Sequence, residues 1–281
     1  MRFDRVIILD WSAASHPSPR KPSADAIWIG RAGAIAGETY HRTRADAEHC
    51  LRTEMAAARR AGQRLLIGAD FPFGYPTGFA RALTGRDGAL AVWDWLAAHV
   101  TDAPDNANNR FALAAAINLR LGACGPFWGR PATLDLPGLP DKGKGRDHPF
   151  PERRQVETRH PRAQPVWKLF TTGSVGSQAL LGIPVMARLR ADGARVWPFD
   201  PLAGADVVLA EVWPSVLADA VQAAMPPDGI KDQLQVRLLA RALAQFGDLT
   251  PLFTPDVAAA VLTEEGWILG TGSEAALRTA L

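Results

Sequence analysis

The chain has 281 residues, 47% of them hydrophobic and 21% charged, which excludes whole-chain disorder and leaves room for a sizeable core. A net charge of +2, from 31 basic and 29 acidic side chains, excludes a polyelectrolyte, and two cysteines exclude a disulfide framework. No apolar run approaches the ~20 residues that span a bilayer, and the start Met1-Arg2-Phe3-Asp4-Arg5 is unlike a signal peptide. The expectation is a cytoplasmic α/β protein with no membrane partner.

Val6-Ile7-Ile8-Leu9 is a continuous β-branched run, as in a strand buried on both faces, and it stops at Asp10-Trp11-Ser12. Ala13 to Pro22 reads as a loop. Ala26-Ile27-Trp28-Ile29 and Glu38 to Arg42 read as the second and third strands. From Ala45 to Ala61 the apolar period becomes helical, with Cys50 on the apolar face, and Gly62 is a natural stop. Leu65-Leu66-Ile67 is a fourth strand that again ends on an acid, Asp70, before the sharp turn of Phe71 to Pro76.

Ala89 to His99 and Phe111 to Leu121 read as helices. Gly122 to Gln164 lacks periodicity and is too long for an ordinary connection, so residues from about 101 to 170 read as an irregular insertion or lid within one domain spanning 1–281. The stretch from Lys142 to Lys168 is rich in Lys and Arg and suits either phosphate binding or a solvated, mobile loop. Gln178 to Arg190 is a further helix, preceded by Thr171-Thr172-Gly173-Ser174-Val175-Gly176-Ser177. Asp206 to Ala210 is a fifth strand ending in Glu211, and Ser215 is the expected N-cap of a helix from Val216 to Met225. A longer helix runs from Lys231 and is stopped by Gly247, and two short helical segments close the chain.

Three strands thus end in an acid: Asp10, Asp70 and Glu211. A fourth acid, Asp232, lies in the first turn of the late helix on the same face as Val236, Leu239, Leu243 and Phe246. In open α/β sheets, sites form beyond the carboxyl ends of parallel strands. Carboxylates gathered there repel one another unless a cation intervenes, and Mg²⁺ or Mn²⁺ suits oxygen donors and substrate phosphates. The six histidines show no zinc-binding spacing.

The element order is that of an RNase H-like mixed sheet, order 3-2-1-4-5, flanked by helices. Five motifs resemble a bacterial family of predicted RNase H-like nucleases. They are Ile8-Leu9-Asp10-Trp11-Ser12, Ile67-Gly68-Ala69-Asp70-Phe71-Pro72-Phe73-Gly74, Arg154-x-x-Glu157, Glu211-Val212-Trp213-Pro214-Ser215 and Lys231-Asp232. The late helix carries Gln235 where the broader pattern often has a second acid. The resemblance implies a metal-dependent phosphodiester hydrolase acting on nucleic acid or a nucleotide-like phosphate substrate. It implies Asp10, Asp70, Glu211 and Asp232 as metal ligands and catalytic residues, and Ser12, Arg154, Glu157 and Lys231 as substrate contacts.

Three other readings compete. Asp10-Trp11-Ser12-Ala13-Ala14-Ser15 is tolerable as the phosphate loop of an actin or sugar-kinase type phosphotransferase but lacks its glycine, and no duplicated half is evident. The stretch from Gly173 to Ser177 suits a phosphate cradle or a plain helix start, without a Walker motif. Asp10-Trp11-Ser12 with Asp25-Ala26-Ile27-Trp28 also resembles proteins assigned to molybdopterin guanine dinucleotide synthesis, although no residue pattern supports guanylyl transfer. Finally, Trp11, Trp128 and Trp167 beside the basic block suit a non-enzymatic module stacking single-stranded nucleic acid.

Overall fold

A computed structural model describes residues 1–122 and 125–281, so Cys124 lies outside the described residues. Arg5–Asp10 (β1), Ile27–Gly33 (β2) and Gly37–His41 (β3) form an antiparallel meander. Leu65–Ala69 (β4) pairs parallel with β1, Val207–Glu211 (β6) parallel with β4, and the two-residue strand Arg195–Val196 (β5) parallel with β6. The sheet is therefore mixed and six-stranded, in the order β3-β2-β1-β4-β6-β5. This corrects the expected 3-2-1-4-5: the strand ending in Glu211 is the sixth, and a short strand that no apolar run announces forms the edge beyond it.

Alternation along the strands makes two cores. Ile7 and Leu9 of β1, Leu65, Ile67 and Ala69 of β4, and Val207 and Leu209 of β6 face Arg44–Arg60 (α1) and Val175–Ala191 (α6). Val6, Ile8, Leu66, Val208 and Ala210 face Lys231–Gln245 (α8), which contributes Val236, Leu239 and Leu243. Strands covered on both faces explain why their sequences are apolar runs without polar alternation. α1 starts where the Thr43 side chain accepts the Asp46 N–H at 3.1 Å, a regular N-cap.

α8 packs tightly on β2, since a Cβ on Gly30 would lie 2.5 Å from the carbonyl carbon of Val236. A Gly30→Ala chain is therefore expected to lose about 1–3 kcal/mol of stability in urea unfolding, as overpacked cores do. A stability equal to the native chain's would contradict this contact.

Phe79–Thr84 (α2), Ala89–His99 (α3) and Arg110–Arg120 (α4) follow β4. Residues 125–154 hold no helix or strand, and Gln155–Thr158 (α5) is a single turn. The segment is nonetheless packed: Phe127, Phe150 and Trp167 are buried, and the Trp167 ring lies 5.4 Å from Tyr75 and 5.1 Å from Phe79. Ser215 caps no α-helix, because Pro214–Leu217 winds as a 3₁₀ turn before Ala218–Ala223 (α7). Ala259–Glu265 (α9) and Glu274–Thr279 (α10) close the chain. Among the described residues, no helix is long and apolar enough to cross a membrane.

Candidate active site

Register decides which strand-end acids meet. Leu9 pairs with Ala69 across the parallel β1–β4 ladder, so the next residues, Asp10 and Asp70, stand side by side. Their carboxyl groups are hydrogen-bonded to each other, and the Trp11 N–H donates to Asp70 Oδ1 at 2.8 Å. In the β4–β6 ladder, however, Glu211 pairs with Ala69 rather than with Asp70. A one-residue offset sends a strand side chain to the opposite face of the sheet. Glu211 is thus out of step with the Asp10–Asp70 pair, and with Asp70 it lines a separate small cavity beside Arg154 and Glu157 rather than the cleft of Asp10.

Glu211 is held by Arg154. The Arg154 Nη1 and Nη2 groups donate to its two carboxylate oxygens at 2.8 and 2.6 Å, and the Phe73 N–H donates to Oε2 at 2.9 Å. Arg154 Nε also donates to Glu157 at 2.8 Å, and Nη1 to the Glu265 carbonyl at 2.9 Å. Arg154, Glu157 and Glu211 are all buried. This corrects their expected roles: both Glu211 oxygens are engaged by Arg154, and neither Arg154 nor Glu157 presents a free group to a substrate. The network ties α5, at the end of the irregular segment, to the end of β6.

Asp232 joins the Asp10–Asp70 pair from the first turn of α8 and lines a cleft of about 630 Å³ together with Asp10 and Ser12. The cleft also exposes Asp25, whose backbone is left-handed at φ 56° and whose N–H donates to Asp232 Oδ2 at 2.8 Å. Asp25 was not singled out by its sequence position, because no strand-end or helical pattern marks it. Ser12 lies in the wall, where its hydroxyl donates to the Asp25 carbonyl at 3.1 Å. Lys231 is exposed at the start of α8 and does not line the cleft.

The wall from Trp11 to Ser15 is held from behind. Arg44 Nη1 donates to the carbonyls of Ser12 and Ala14 at 3.0 and 2.8 Å, while its Nε and Nη2 grip Asp102, each at 2.6 Å. Gln178 of α6 donates to the Trp11 carbonyl. Opposite lie Arg110 and the loop from Leu169 to Ser174. Trp11 and Trp167 are buried and offer no stacking platform, which corrects that expectation for these two rings, while Trp128 is half-buried.

Electrostatics mark the acidic pair. Burial pushes the Asp10 carboxyl well above the usual carboxylate range, and the charges of Asp70 and Asp232 push it the same way. Burial raises Asp70 to about 7 against the opposing pull of the Trp11 N–H. Burial also raises Asp232, opposed by the Asp25 N–H. Two close carboxyls oppose each other's ionisation, which is the direction both groups show.

A carboxyl whose folded pKa is raised stabilises the fold fully below its unfolded value, and that stability is lost as pH rises through the folded value. For Asp70 the window runs from the ordinary 3.8 to about 7. The native chain is expected to melt at a lower temperature at pH 8 than at pH 5, and Asp70→Asn to shrink that difference. An identical pH slope in the two chains would show that the pair is not strained by charge.

As they stand, no three His, Cys, Asp or Glu side chains among the described residues form a group that could hold a metal ion. The fit to a divalent cation therefore rests on the two adjacent carboxyls, and Mg²⁺ is commonly held by one or two carboxylates with water and substrate phosphate completing its shell. No protein-family model, curated protein or solved structure matches the chain.

Proposed function

We propose that the chain is a metal-dependent phosphodiester hydrolase on an RNase H-like fold, acting on nucleic acid or a nucleotide-like phosphate ester. The observation that carries the reading is the Asp10–Asp70 pair, two carboxyls set side by side by strand register, with Asp10 and Asp232 lining an open cleft. Such a pair is costly when both groups ionise, and a divalent cation between them would remove that cost. The meander of β1 to β3 followed by parallel β4 and β6 supports the fold reading.

In this reading Asp10 and Asp70 would hold Mg²⁺ or Mn²⁺. The cation supplies charge neutralisation at a phosphoryl oxygen and a lowered pKa for an attacking water. Asp232, oriented by the Asp25 N–H, adds negative charge at the same place, so that cation and phosphate are drawn into the cleft together. The Trp11 N–H fixes Asp70 and the Arg44 contacts fix the wall, so the carboxyls need little reorganisation.

The test is release of nitrophenol from bis(4-nitrophenyl) phosphate, and cleavage of a single-stranded oligonucleotide, with Mn²⁺ or with EDTA. The expected result is cleavage that needs the metal and is lost in Asp10→Asn. Absence of cleavage of both substrates with Mn²⁺ would overturn the reading.

A further inference from the structure

The cleft has a cationic side that the acidic pair does not explain. Three arginines are buried among the described residues: Arg44, Arg110 and Arg154. Arg44 is paired with Asp102, and Arg154 with Glu157 and Glu211. Arg110, 9% exposed, has no carboxylate within ion-pair distance among the described residues. Its Nε donates to Ser177 Oγ at 3.1 Å, and its Nη1 to Ser15 Oγ and Asn108 Oδ1, both at 2.8 Å. Its Nη2 finds no acceptor among the described residues. Burial lowers the guanidinium to about 10, repulsion from Arg44 acts the same way, and the more distant Asp102, already gripped by Arg44, opposes them. A buried charge with no carboxylate in direct contact is expensive to keep.

Beside Arg110, the loop from Thr171 to Ser174 lines the same cleft. Thr171 and Gly173 are left-handed, at φ 71° and 74°, a conformation that a threonine rarely adopts. Among the described residues, none of the four N–H groups from Thr171 to Ser174 donates to an acceptor. Alternating left-handed residues turn successive N–H groups to one side, forming a concavity for an anion. α6 begins directly after, adding the positive end of a 17-residue helix. Its own first N–H groups are committed, Gly176 to the Lys168 carbonyl at 3.0 Å and Ser177 to the Ser174 carbonyl at 3.1 Å. The free donors are therefore those of the loop and of Arg110. Phe170, 38% exposed, borders this place with an apolar ring.

We propose that Arg110 and the Thr171–Ser174 loop form a subsite for the phosphate of a nucleotide, with Phe170 against its base. The subsite rests on the hydrolase reading for its place in a reaction, but not for its existence. Arg110 presents a charged fork to the phosphate oxygens, the loop supplies neutral donors, and a cleft of about 630 Å³ has room for a single nucleotide. The missing counter-charge of Arg110 is then the ligand itself.

The test is calorimetric titration of the full chain with 5′-adenosine monophosphate in EDTA, with inorganic phosphate as competitor. The native chain is expected to bind the nucleotide, phosphate to compete, and Arg110→Gln to weaken binding by about tenfold or more. Because Arg110→Gln alters a buried site, Thr172→Asp provides an independent variant: Thr172 is exposed, and a carboxylate there is expected to weaken binding at least as much. No binding by the native chain, or equal binding by native and Thr172→Asp chains, would overturn the subsite. Nucleotide binding that persists while Mn²⁺ binding is absent would sustain the subsite and sink the hydrolase reading.

Discussion

Replacing Arg154 with Ala is expected to destabilise the chain by about 3–5 kcal/mol, because removing one partner of a buried ion pair leaves the others uncompensated. Arg154 is the single cation between Glu157 and Glu211, and all three side chains are nearly inaccessible. Its loss would also free the Glu265 carbonyl and unpin α5 from the end of β6. Lysine is a poor substitute, since one ammonium cannot reproduce the fork that meets both Glu211 oxygens. Converting Arg154, Glu157 and Glu211 together to Met, Leu and Leu should recover part of the loss, though the Phe73 N–H would then lack its acceptor. Urea unfolding measures both. A single Arg154→Ala chain within about 1 kcal/mol of native, the ordinary worth of an exposed pair, would mean that the network is solvated.

The second large effect is on activity. Asp10→Asn keeps the shape of the side chain and can still hydrogen-bond Asp70, yet it removes a charge that would face the cation. Losing an outer-shell partner costs roughly 10–100-fold in metal affinity or activity, so loss of a ligand itself should exceed about 100-fold. Asp232→Asn should cost less, since that carboxylate is steadied by the Asp25 N–H and stands beside the pair instead of within it. Equal losses from both substitutions would place all three carboxylates on the ion. No loss from Asp10→Asn would remove the pair from the chemistry.

What the sequence made legible, and what it hid, follows from the range of the interactions involved. The buried strands were readable because apolar residues on both sheet faces leave unbroken runs such as Val6 to Leu9 and Leu65 to Ile67. α1 was readable from its apolar period alone. That Asp10 and Asp70 each follow such a run is visible in the sequence, and the equal register of β1 and β4 brings them together. The offset of Glu211 is not visible, because a one-residue difference in strand pairing leaves no local trace.

Arg154 looked like part of a basic, phosphate-binding block, and only the fold reveals the acids that surround it. Arg110 is the opposite case. It opens a helix in an unremarkable stretch, and its significance lies in the carboxylate it lacks. The edge strand β5 was missed because two residues cannot establish a period. Ser215 lies inside a 3₁₀ turn, where the preceding Pro214 favours a first-turn position but the chain does not yet wind as an α-helix.

The central claim is that Asp10 and Asp70 form a cation site at the ends of two parallel strands. Calorimetric titration of Mn²⁺ at pH 7.5, in two buffers of different ionisation enthalpy, tests it most directly. The expected result is binding by the native chain with proton release, and neither in Asp10→Asn. Failure of the native chain to bind Mn²⁺, or binding unchanged by Asp10→Asn, would contradict it.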